Sequence, residues 1–520
     1  MIASLTPWVE AQELENALEE ESEEQMLLLI REYRIRGASH LPQIDVESAV
    51  YPYLGPARTL EDVESARASL EAAYADAGLS TVVVEVPPQR PRRGVIVLKV
   101  SEMPVGRLRV RDAAYHDLER IKSRAQSMAE GKVLNFSEVS DDIVALNRWP
   151  GRTVTPELKP GVLPGTVDVD LLIEEEFPLS GTVELNNRYS ADTTELRLNM
   201  SATYQNLWQL GHTAGFAWQV SPEDPNETNV LSGFYIARFS GQENFSLLFQ
   251  GTLQDSNVST LGGAAVVGRG NILGVRAIFT LPSREGFFHS SNFGFDYKGF
   301  DQKIMIGEDE TMTPIQYVPF SASYGATWVA DHYVSEINAS VIWGLRGVGS
   351  NEFQFDDNRF RASGNFAYLK LDASHLQKLP ADFQAYASFQ SQWSERPLVN
   401  SEQFAGGGQD SVRGYLEAEA LGDSGITGTF ELRSPSLLSW IQGEGNEWRL
   451  YGFVDFGRLT INEALPEQQS TFDLASVGFG TTLRLFNRIN GIIDFARPLS
   501  PLANTSTGDW RVLFRLSAEF

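Results

Sequence analysis

Strict alternation of apolar and polar residues dominates the chain from about residue 181 to residue 520, and helical periodicity disappears there. Because a period of two places successive side chains on opposite faces, this pattern predicts β-strands. About sixteen such segments fit the region, at roughly 21 residues for each strand with its connection. The end of the chain shows the pattern best, with one face formed by Trp510, Val512, Phe514, Leu516, Ala518 and Phe520 and the other by Arg511, Leu513, Arg515, Ser517 and Glu519.

The length of these segments favours a membrane barrel over a soluble β-sandwich or propeller. Soluble strands alternate too, but they average about 5–6 residues, whereas runs of ten or more recur here. Tryptophans lie near strand ends, as in the aromatic girdles of membrane barrels, and no stretch approaches the ~18 apolar residues of a transmembrane helix. The sequence therefore predicts an all-β transmembrane barrel of about 16 antiparallel strands over residues 179–520, in contact with outer-membrane lipid. The tryptophans are Trp208, Trp218, Trp343, Trp393, Trp448 and Trp510.

Two similar α+β units precede the barrel, at residues 31–103 and 104–178. Each follows the order strand, helix, helix, strand, strand, and each is small for an independent core. In the first unit we expect strands at 31–37, 81–86 and 95–100 and helices at 44–54 and 60–77. In the second we expect strands at 105–110, 153–158 and 166–173 and helices at 118–128 and 139–146.

The first 30 residues are predicted to form an acidic N-terminal helix. Eight of the fifteen residues from Glu10 to Glu24 are acidic, and the apolar run 26–30 follows. A frayed helix without a specific role is the alternative. Residues 1–9 are too short for the apolar region of a secretory signal and lack a basic start, so we expect a processed chain that resides in the cell envelope.

Composition excludes several functional classes. The chain has 42 Lys and Arg against 68 Asp and Glu, a net charge of −26, which argues against nucleic-acid binding. With no cysteine, disulfides, thiolate metal sites and catalytic thiols are excluded. The six histidines are scattered, and no HExxH, GxSxG or P-loop motif occurs. We therefore predict no enzyme activity, cofactor or metal, and interpret the carboxylates at 174–176 and 356–357 as a strand end and a loop tip.

A long connection at about residues 394–424 stands out in a barrel with otherwise short loops, and loops of this length are usually functional or disordered. It carries Arg413, and alternation on a later strand places Phe453, Asp455 and Gly457 on the lumen face. A carboxylate beside an aromatic ring is a receptor for a guanidinium. Alternatively, Arg413 lies in water and Asp455 pairs with Arg449 or another wall residue.

These residues also carry a resemblance. Residues 412–415 (VRGY) and the FxDxG strand at 453–457 resemble the POTRA-barrel superfamily of outer-membrane translocases and insertases. The segments 86–89 (VPPQ), 146–152 (LNRWPGR) and 164–169 (PGTVDV) are similar to the two-partner secretion transporters, also called the TpsB or hemolysin-activator and hemagglutinin-exporter family. The resemblance covers about residues 29–520.

The resemblance implies two periplasmic POTRA domains, a 16-stranded barrel and a loop at 394–424 that folds into the lumen. There it implies a loop lock formed by Val412, Arg413, Gly414, Tyr415, Phe453, Asp455 and Gly457. A family member can carry an N-terminal helix that plugs the pore, but here the acidic segment runs almost directly into the strand at residue 31, which argues against such a plug.

The expected function is export of a partner exoprotein, TpsA-like and β-helical, captured in the periplasm by strand addition to a POTRA edge. The β-branched strand with Thr81, Val82, Val84 and Val86 is the predicted capture edge. An outer-membrane insertase shares these motifs but would commonly carry more POTRA units. A barrel enzyme such as a lipase or protease would require a nucleophile constellation near the rim.

Overall fold

The structure is a computed structural model that describes residues 27–149, 151–191, 193–239, 241–259, 266–306, 309–438 and 445–520. The chain divides into two compact units, residues 1–176 and 177–520. The predicted acidic helix lies mostly outside the described residues. Its last part is corrected: Leu28–Ile30 is a strand, because it pairs with a second short strand at Gly55–Arg58.

The first unit begins with an α+β fold over residues 28–102. Its strands are β1 (Leu28–Ile30), β2 (Glu32–Arg36), β3 (Gly55–Arg58), β4 (Val83–Glu85) and β5 (Val95–Ser101), and its helices are α1 (Gln43–Val50) and α2 (Leu60–Asp76). Strand β5 lies between β2, to which it is parallel, and β4, to which it is antiparallel. Helix α2 begins at a capping box between Thr59 and Asp62. Its Leu70 and Tyr74 pack against Leu98 of β5 in the core.

The same order of elements follows at residues 105–175. It comprises β6 (Val105–Arg111), α3 (Leu118–Arg124), α4 (Phe136–Asn147), β7 (Arg152–Pro160) and β8 (Val167–Glu175). Strand β8 lies between β6, to which it is parallel, and β7, to which it is antiparallel. The helices predicted at 44–54 and 118–128 end early, at Val50 and Arg124, and each is followed by one 3₁₀ turn.

The carboxylate of Glu102, which follows β5, is bound by four donors. The backbone N–H groups of Ser39 and His40 donate to it at 2.7 and 2.9 Å, the Tyr74 hydroxyl donates at 3.0 Å, and the Ser39 hydroxyl also donates. Burial raises the pKa of Glu102, but hydrogen bonds from Ser39 and His40 outweigh it and lower that pKa to about 2. Ionised Glu102 therefore stabilises this region at pH 7.

We expect Glu102→Gln to reduce the free energy of local opening at Ser39 and His40 by about 1–3 kcal/mol at pH 7. Because the folded pKa lies below the unfolded one, the difference from wild type should shrink as the pH falls from about 4.5 towards 2. Hydrogen exchange of the peptide around residues 39–40 in the full chain measures this opening. Glu85→Gln, which removes an exposed partner of Lys99, is the control and should leave exchange at residues 39–40 unchanged.

The second unit is a closed antiparallel barrel. Its wall is built from β9 (Leu179–Asn186), β10 (Arg197–Leu207), β11 (His212–Val220), β12 (Thr228–Phe239), β13 (Gln242–Ser259), β14 (Val266–Thr280), β15 (Phe287–Ile306), β16 (Asp309–Tyr317), β17 (Phe320–Ala330), β18 (Tyr333–Trp343), β19 (Ala367–Lys378) and β20 (Gln384–Ser394). A hairpin of β21 (Phe404–Gly406) and β22 (Ala420–Gly422) lies in the long connection, and β23 (Ser424–Arg433), β24 (Glu447–Thr460), β25 (Thr471–Leu485), β26 (Ile489–Pro498) and β27 (Arg511–Glu519) complete the wall.

The wall has sixteen strand positions, because β16 and β17 pair one after the other with β15 and form a single interrupted strand. The interruption falls at Val318 and Pro319, and proline lacks the N–H that an inner strand requires. The predicted 16-stranded barrel is confirmed. No helix among the described residues is long and apolar enough to cross a membrane.

The seam between β27 and β9 closes the barrel in two ways. Five residue pairs, from Glu519 with Thr182 to Arg515 with Asn186, form the backbone ladder. Beyond it, the Asn187 side chain donates to the Val512 carbonyl at 2.8 Å and accepts from the Phe514 N–H at 2.7 Å. Backbone hydrogen bonds between Gly181 and Phe520, both at 3.0 Å, extend the ladder at its other end, so the seam combines a short ladder with one side-chain bridge.

Alternation along the strands separates lipid from lumen. Trp510, Val512 and Phe520 are exposed on the outer surface, as the sequence pattern predicts. On β24, Val454 and Phe456 are about half exposed, whereas Phe453 and Asp455 are buried. Because side chains alternate between the two faces of a strand, the positions of Phe453 and Asp455 on the lumen side follow from the period of two.

Candidate functional site

The long connection between β20 and β23 enters the barrel. It runs from Ser394 to Ser424, and the β21–β22 hairpin carries its tip, residues 407–419. Val412, Arg413 and Tyr415 at this tip are all buried, at 0%, 5% and 1% exposure. Such burial is possible for an arginine only if its guanidinium is paired.

The Arg413 guanidinium is held by one carboxylate and one ring. Its Nε and Nη2 donate to the two oxygens of Asp455, each at 2.8 Å, and the Arg413 backbone N–H also donates to Asp455 at 3.0 Å. The guanidinium carbon lies 3.5 Å from the centre of the Phe453 ring. Bidentate pairing and cation–π contact therefore act on the same group. Arg449, the alternative partner of Asp455, instead binds Asp382 at 3.0 Å.

Two further carboxylates face Arg413. Its Nη1 donates to Glu431 of β23 at 2.8 Å and to Asp494 of β26 at 3.5 Å. We call Arg413, Phe453, Asp455, Glu431 and Asp494 the tip cluster. Since it contains three carboxylates around one arginine, removal of the guanidinium leaves like charges close together.

The other loop-lock residues fix the shape of the tip. Val412 packs on Leu459 in a small apolar cluster, and the Tyr415 hydroxyl donates to the Ser500 carbonyl at 2.7 Å. Gly414 has a φ of 95°, which favours glycine. A Cβ at Gly457 would lie 3.0 Å from a methyl group of Val412, so the absence of a side chain there lets the tip approach the wall.

The stem of the connection has anchors of its own, which we call the stem cluster: Glu402, Asp423, Arg359, Lys298 and Tyr368. Glu402 accepts from Lys298 at 2.5 Å and from the Tyr368 hydroxyl at 2.5 Å, both on the wall. Asp423 is fully buried and pairs with Arg359 at 3.1 Å. Arg359 follows α5 (Glu352–Asn358) in the neighbouring connection. Sequence reasoning missed this cluster, because its members lie in different connections without a periodic pattern.

We expect Asp423→Ala to loosen the stem, because it removes the partner of Arg359 and the acceptor of the Leu398 and Asn462 N–H groups, at 2.9 and 2.7 Å. Breaking such a buried pair costs about 3–5 kcal/mol. Added trypsin should then cut after Arg359 faster than in wild type. Glu463→Ala, which removes an exposed partner of Arg361, is the control, and equal cleavage of the two variants would contradict an anchor at Asp423.

The tip also binds two other connections. Arg188, directly after the seam residue Asn187, pairs with Asp410 at 2.7 Å and with Glu417 at 2.9 Å. Glu419 accepts from the Asn504 N–H at 3.0 Å in the connection between β26 and β27. The charged side chains of the tip thus have separate partners in different parts of the wall.

A cavity of about 870 Å³ remains in the lumen beside the tip. Arg413, Glu431 and Asp494 line it, together with charged wall residues such as Glu184 and Arg515. The lumen is thus a polar, partly open space next to the tip of the loop.

The predicted capture edge lies in the first unit and is shorter than expected. Only Val83–Glu85 is a strand, and it lies at the edge of its sheet. Val82 and Val84 are buried, Thr81 is half-buried before the strand, and Val86 is 36% exposed after it. Pro87 and Pro88 end the strand, because proline cannot donate to a ladder.

The carboxylate clusters noted in the sequence lie in a helix and at the end of a strand. Asp356 and Asp357, interpreted from the sequence as a loop tip, belong to helix α5 instead. Glu175 at the end of β8 accepts from the Ala114 and Tyr115 N–H groups, both at 2.6 Å. Within the described ranges, no group of three or more histidine, aspartate or glutamate residues is placed to hold a metal ion.

Two protein-family models match the chain. Residues 28–102 match the ShlB-type POTRA domain, and residues 314–483 match the haemolysin secretion/activation protein family ShlB/FhaC/HecB. The second match includes the inward loop, Arg413 and Asp455. The chain belongs to the two-partner secretion transporters. The resemblance found in the sequence is confirmed, and this transporter resides in the outer membrane with its POTRA domains in the periplasm.

Characterised relatives support this assignment. The transporter is 24% identical over 414 residues to the outer membrane transporter CdiB of Dickeya dadantii, a match that covers 76% of this chain and 70% of the relative. It is 23% identical over 415 residues to CdiB of Escherichia coli O6:K15:H31, covering 75% of this chain and 66% of that relative.

Solved structures show the same fold. CdiB from Escherichia coli superposes with a TM-score of 0.64 at 18% identity and covers all of both chains. BamA from Haemophilus ducreyi lacking POTRA domains 1–3 gives a TM-score of 0.56 at 15% identity, covering 94% of this transporter and 99% of that chain.

Proposed function

We propose that this transporter captures an unfolded partner exoprotein in the periplasm and passes it through the barrel to the cell surface. The observation that carries the proposal is the lumen loop, whose tip is held by Arg413 on Asp455 and Phe453. A conduit must be closed at rest and open during transport. A plug held largely by polar contacts meets both needs, because water or a polar chain can replace those contacts, whereas a packed apolar plug has no such substitute.

The capture edge supports the first step. Because the Val84 carbonyl accepts from Arg67 of α2 at 3.3 Å, this residue directs its backbone groups away from β5. The Gln89 side chain bonds both backbone groups of Val97 on β5, each at 2.8 Å, beyond the end of β4. An incoming extended chain can displace these side chains and form main-chain hydrogen bonds in their place.

The second step is passage through the lumen. The chain contains no nucleotide-binding motif, and we propose that folding of the partner outside the cell biases its movement outwards. The partner is expected to be a large TpsA-like β-helical protein, since such a chain can fold progressively from the end that leaves first.

The alternative is an insertase that assembles other barrels in the membrane. The seam favours it, because the ladder between β27 and β9 has five residue pairs, extended by backbone hydrogen bonds between Gly181 and Phe520 and by the Asn187 side chain. A seam of this kind has fewer strand hydrogen bonds to break than the other junctions of the wall.

Comparison of the secreted and outer-membrane proteomes of the host, with and without this gene, separates the two functions. Loss of one large protein from the surface and medium, with normal levels of other barrels, is the result expected for an exporter. A general fall in outer-membrane barrels with unchanged secretion would instead establish the insertase. Complementation with the wild-type gene is the control.

A further inference from the structure

The open face of the β2–β5–β4 sheet is strongly basic. Tyr33 of β2 and Ile96 and Leu98 of β5 point towards the helices and are buried. Alternation therefore places Arg34, Arg36 and Lys99 on the face opposite to α1 and α2.

The turn between β4 and β5 carries three further arginines next to this face. It lies beside the start of β2, because the Gly94 carbonyl accepts from the Arg31 N–H at 2.7 Å and from the Glu32 N–H at 3.2 Å. We call the whole set the basic face: Arg31, Arg34, Arg36, Arg90, Arg92, Arg93 and Lys99.

Most of these cations lack a carboxylate partner. Arg34 pairs with Glu32 at 2.9 Å and Lys99 with Glu85 at 3.4 Å. No carboxylate in the described part of the chain pairs with the other five arginines of the basic face, and all five are exposed. Helices α1 and α2 on the other side hold seven acidic residues and one arginine, so the charges of this domain are segregated. Clustered like charges repel, and an anionic partner relieves that repulsion.

An acidic segment is tethered next to this face. Residues 10–24 hold eight glutamates, and only six residues separate Glu24 from Arg31. The last three of these residues form β1, so the remaining three, residues 25–27, reach up to about 10 Å when extended. The chain enters the domain beside the basic turn, since a Cβ at Gly94 would lie 2.7 Å from the Leu29 carbonyl oxygen.

We propose that the acidic segment, residues 10–24, docks on the basic face of its own POTRA domain. Tethering gives a segment on so short a linker an effective concentration of roughly millimolar, which favours it over an untethered acidic peptide or lipid headgroup. The contact is electrostatic and exposed, so it is weak per pair and sensitive to salt. The docked segment lies beside the proposed capture edge, and an acidic stretch of a partner would compete with it.

Distance measurements on the full chain test this docking. Because the chain has no cysteine, Ser22→Cys with Pro88→Cys places one spin label on the acidic segment and one on the basic turn. A short, narrow distance distribution is expected at low salt, and a longer, broader one at about 0.5 M salt, where the screening length is only ~4 Å. The pair Ser22→Cys with Ser48→Cys, on the acidic side of α1, should give a longer distance than the 22–88 pair at low salt and should also broaden at high salt.

Two triple variants show whether the arginines cause the docking. Replacement of Arg90, Arg92 and Arg93 by Gln should broaden the 22–88 distribution, whereas replacement of all three by Lys should preserve it. These exposed turn positions leave the core intact, so both variants should fold. Identical distributions in wild type and the Gln variant would overturn the proposal. A broad wild-type distribution, with binding to anionic lipid vesicles that the Gln variant loses, would overturn it in favour of a lipid partner.

Discussion

Arg413→Ala is expected to release the tip of the lumen loop and to reduce export far more than barrel stability. The substitution removes the partner of fully buried Asp455 and leaves Glu431 and Asp494 nearby without their shared cation. Loss of one member of a buried pair costs about 3–5 kcal/mol, which shifts the attachment equilibrium of the tip by about two to four orders of magnitude. The backbone hydrogen bonds between neighbouring wall strands do not involve the Arg413 side chain, so the folded barrel should persist.

Single-channel conductance in planar bilayers and secretion in cells measure this effect. We expect frequent, large openings in the variant against a mostly closed wild type, together with a severe loss of secretion. Asp455→Ala should act alike, and the double variant should be no worse than either single one if the two residues act as a pair. Asp410→Ala is the matched control, because its side chain is 59% exposed and pairs with Arg188 at the same tip. Wild-type conductance and secretion in Arg413→Ala would refute the loop lock.

Val84→Pro is expected to abolish secretion while the barrel still inserts in the outer membrane. Val84 directs its backbone groups to the free edge, so proline removes a donor offered to the partner rather than a hydrogen bond to β5. Val84→Ala is the control, because it removes the same buried side chain but keeps the N–H group.

Secretion and heat-modifiable migration of the barrel on gels report the two properties separately. We expect Val84→Ala to secrete at a reduced but measurable level and Val84→Pro at none, both with normal barrels. Val82→Pro should also abolish secretion, but the Val82 N–H donates to the Leu79 carbonyl at 3.1 Å. That variant therefore breaks a turn within the domain, and Val84→Pro is the variant that tests the edge. Equal secretion by Val84→Pro and Val84→Ala would show that capture does not use this edge.

Periodicity was sufficient for the barrel because every wall residue faces either lipid or lumen. The same rule placed Phe453 and Asp455 on one face of β24, and the family resemblance brought Arg413 to them. The sequence does not predict the contacts of Glu431 and Asp494 with Arg413, since these contacts depend on how β23 and β26 are arranged around the lumen. No local pattern encodes that arrangement.

Short elements were missed for a different reason. Strands β1 and β3 have only three and four residues, too few for alternation to be recognised. Helix α5 has seven residues, but its start was readable: Asn351 and Gln354 form a reciprocal capping box. The capture strand was predicted at six residues and has three, because Thr81 and Val82 precede the pairing with β5 and proline follows at Pro87.

The lumen loop has separate partners in different parts of the barrel, and these partners constrain how its sequence can change during evolution. Residue 413 is matched to 455, residue 417 to 188, and residue 423 to 359, each pair joining the loop to a different strand or connection. A charge change at any loop position therefore requires a compensating change far away in sequence. Related transporters should keep the 413–455 pair, which belongs to the shared motifs, and should show correlated substitutions at the pairs 417–188 and 423–359, while the lipid-facing positions between them vary among apolar residues.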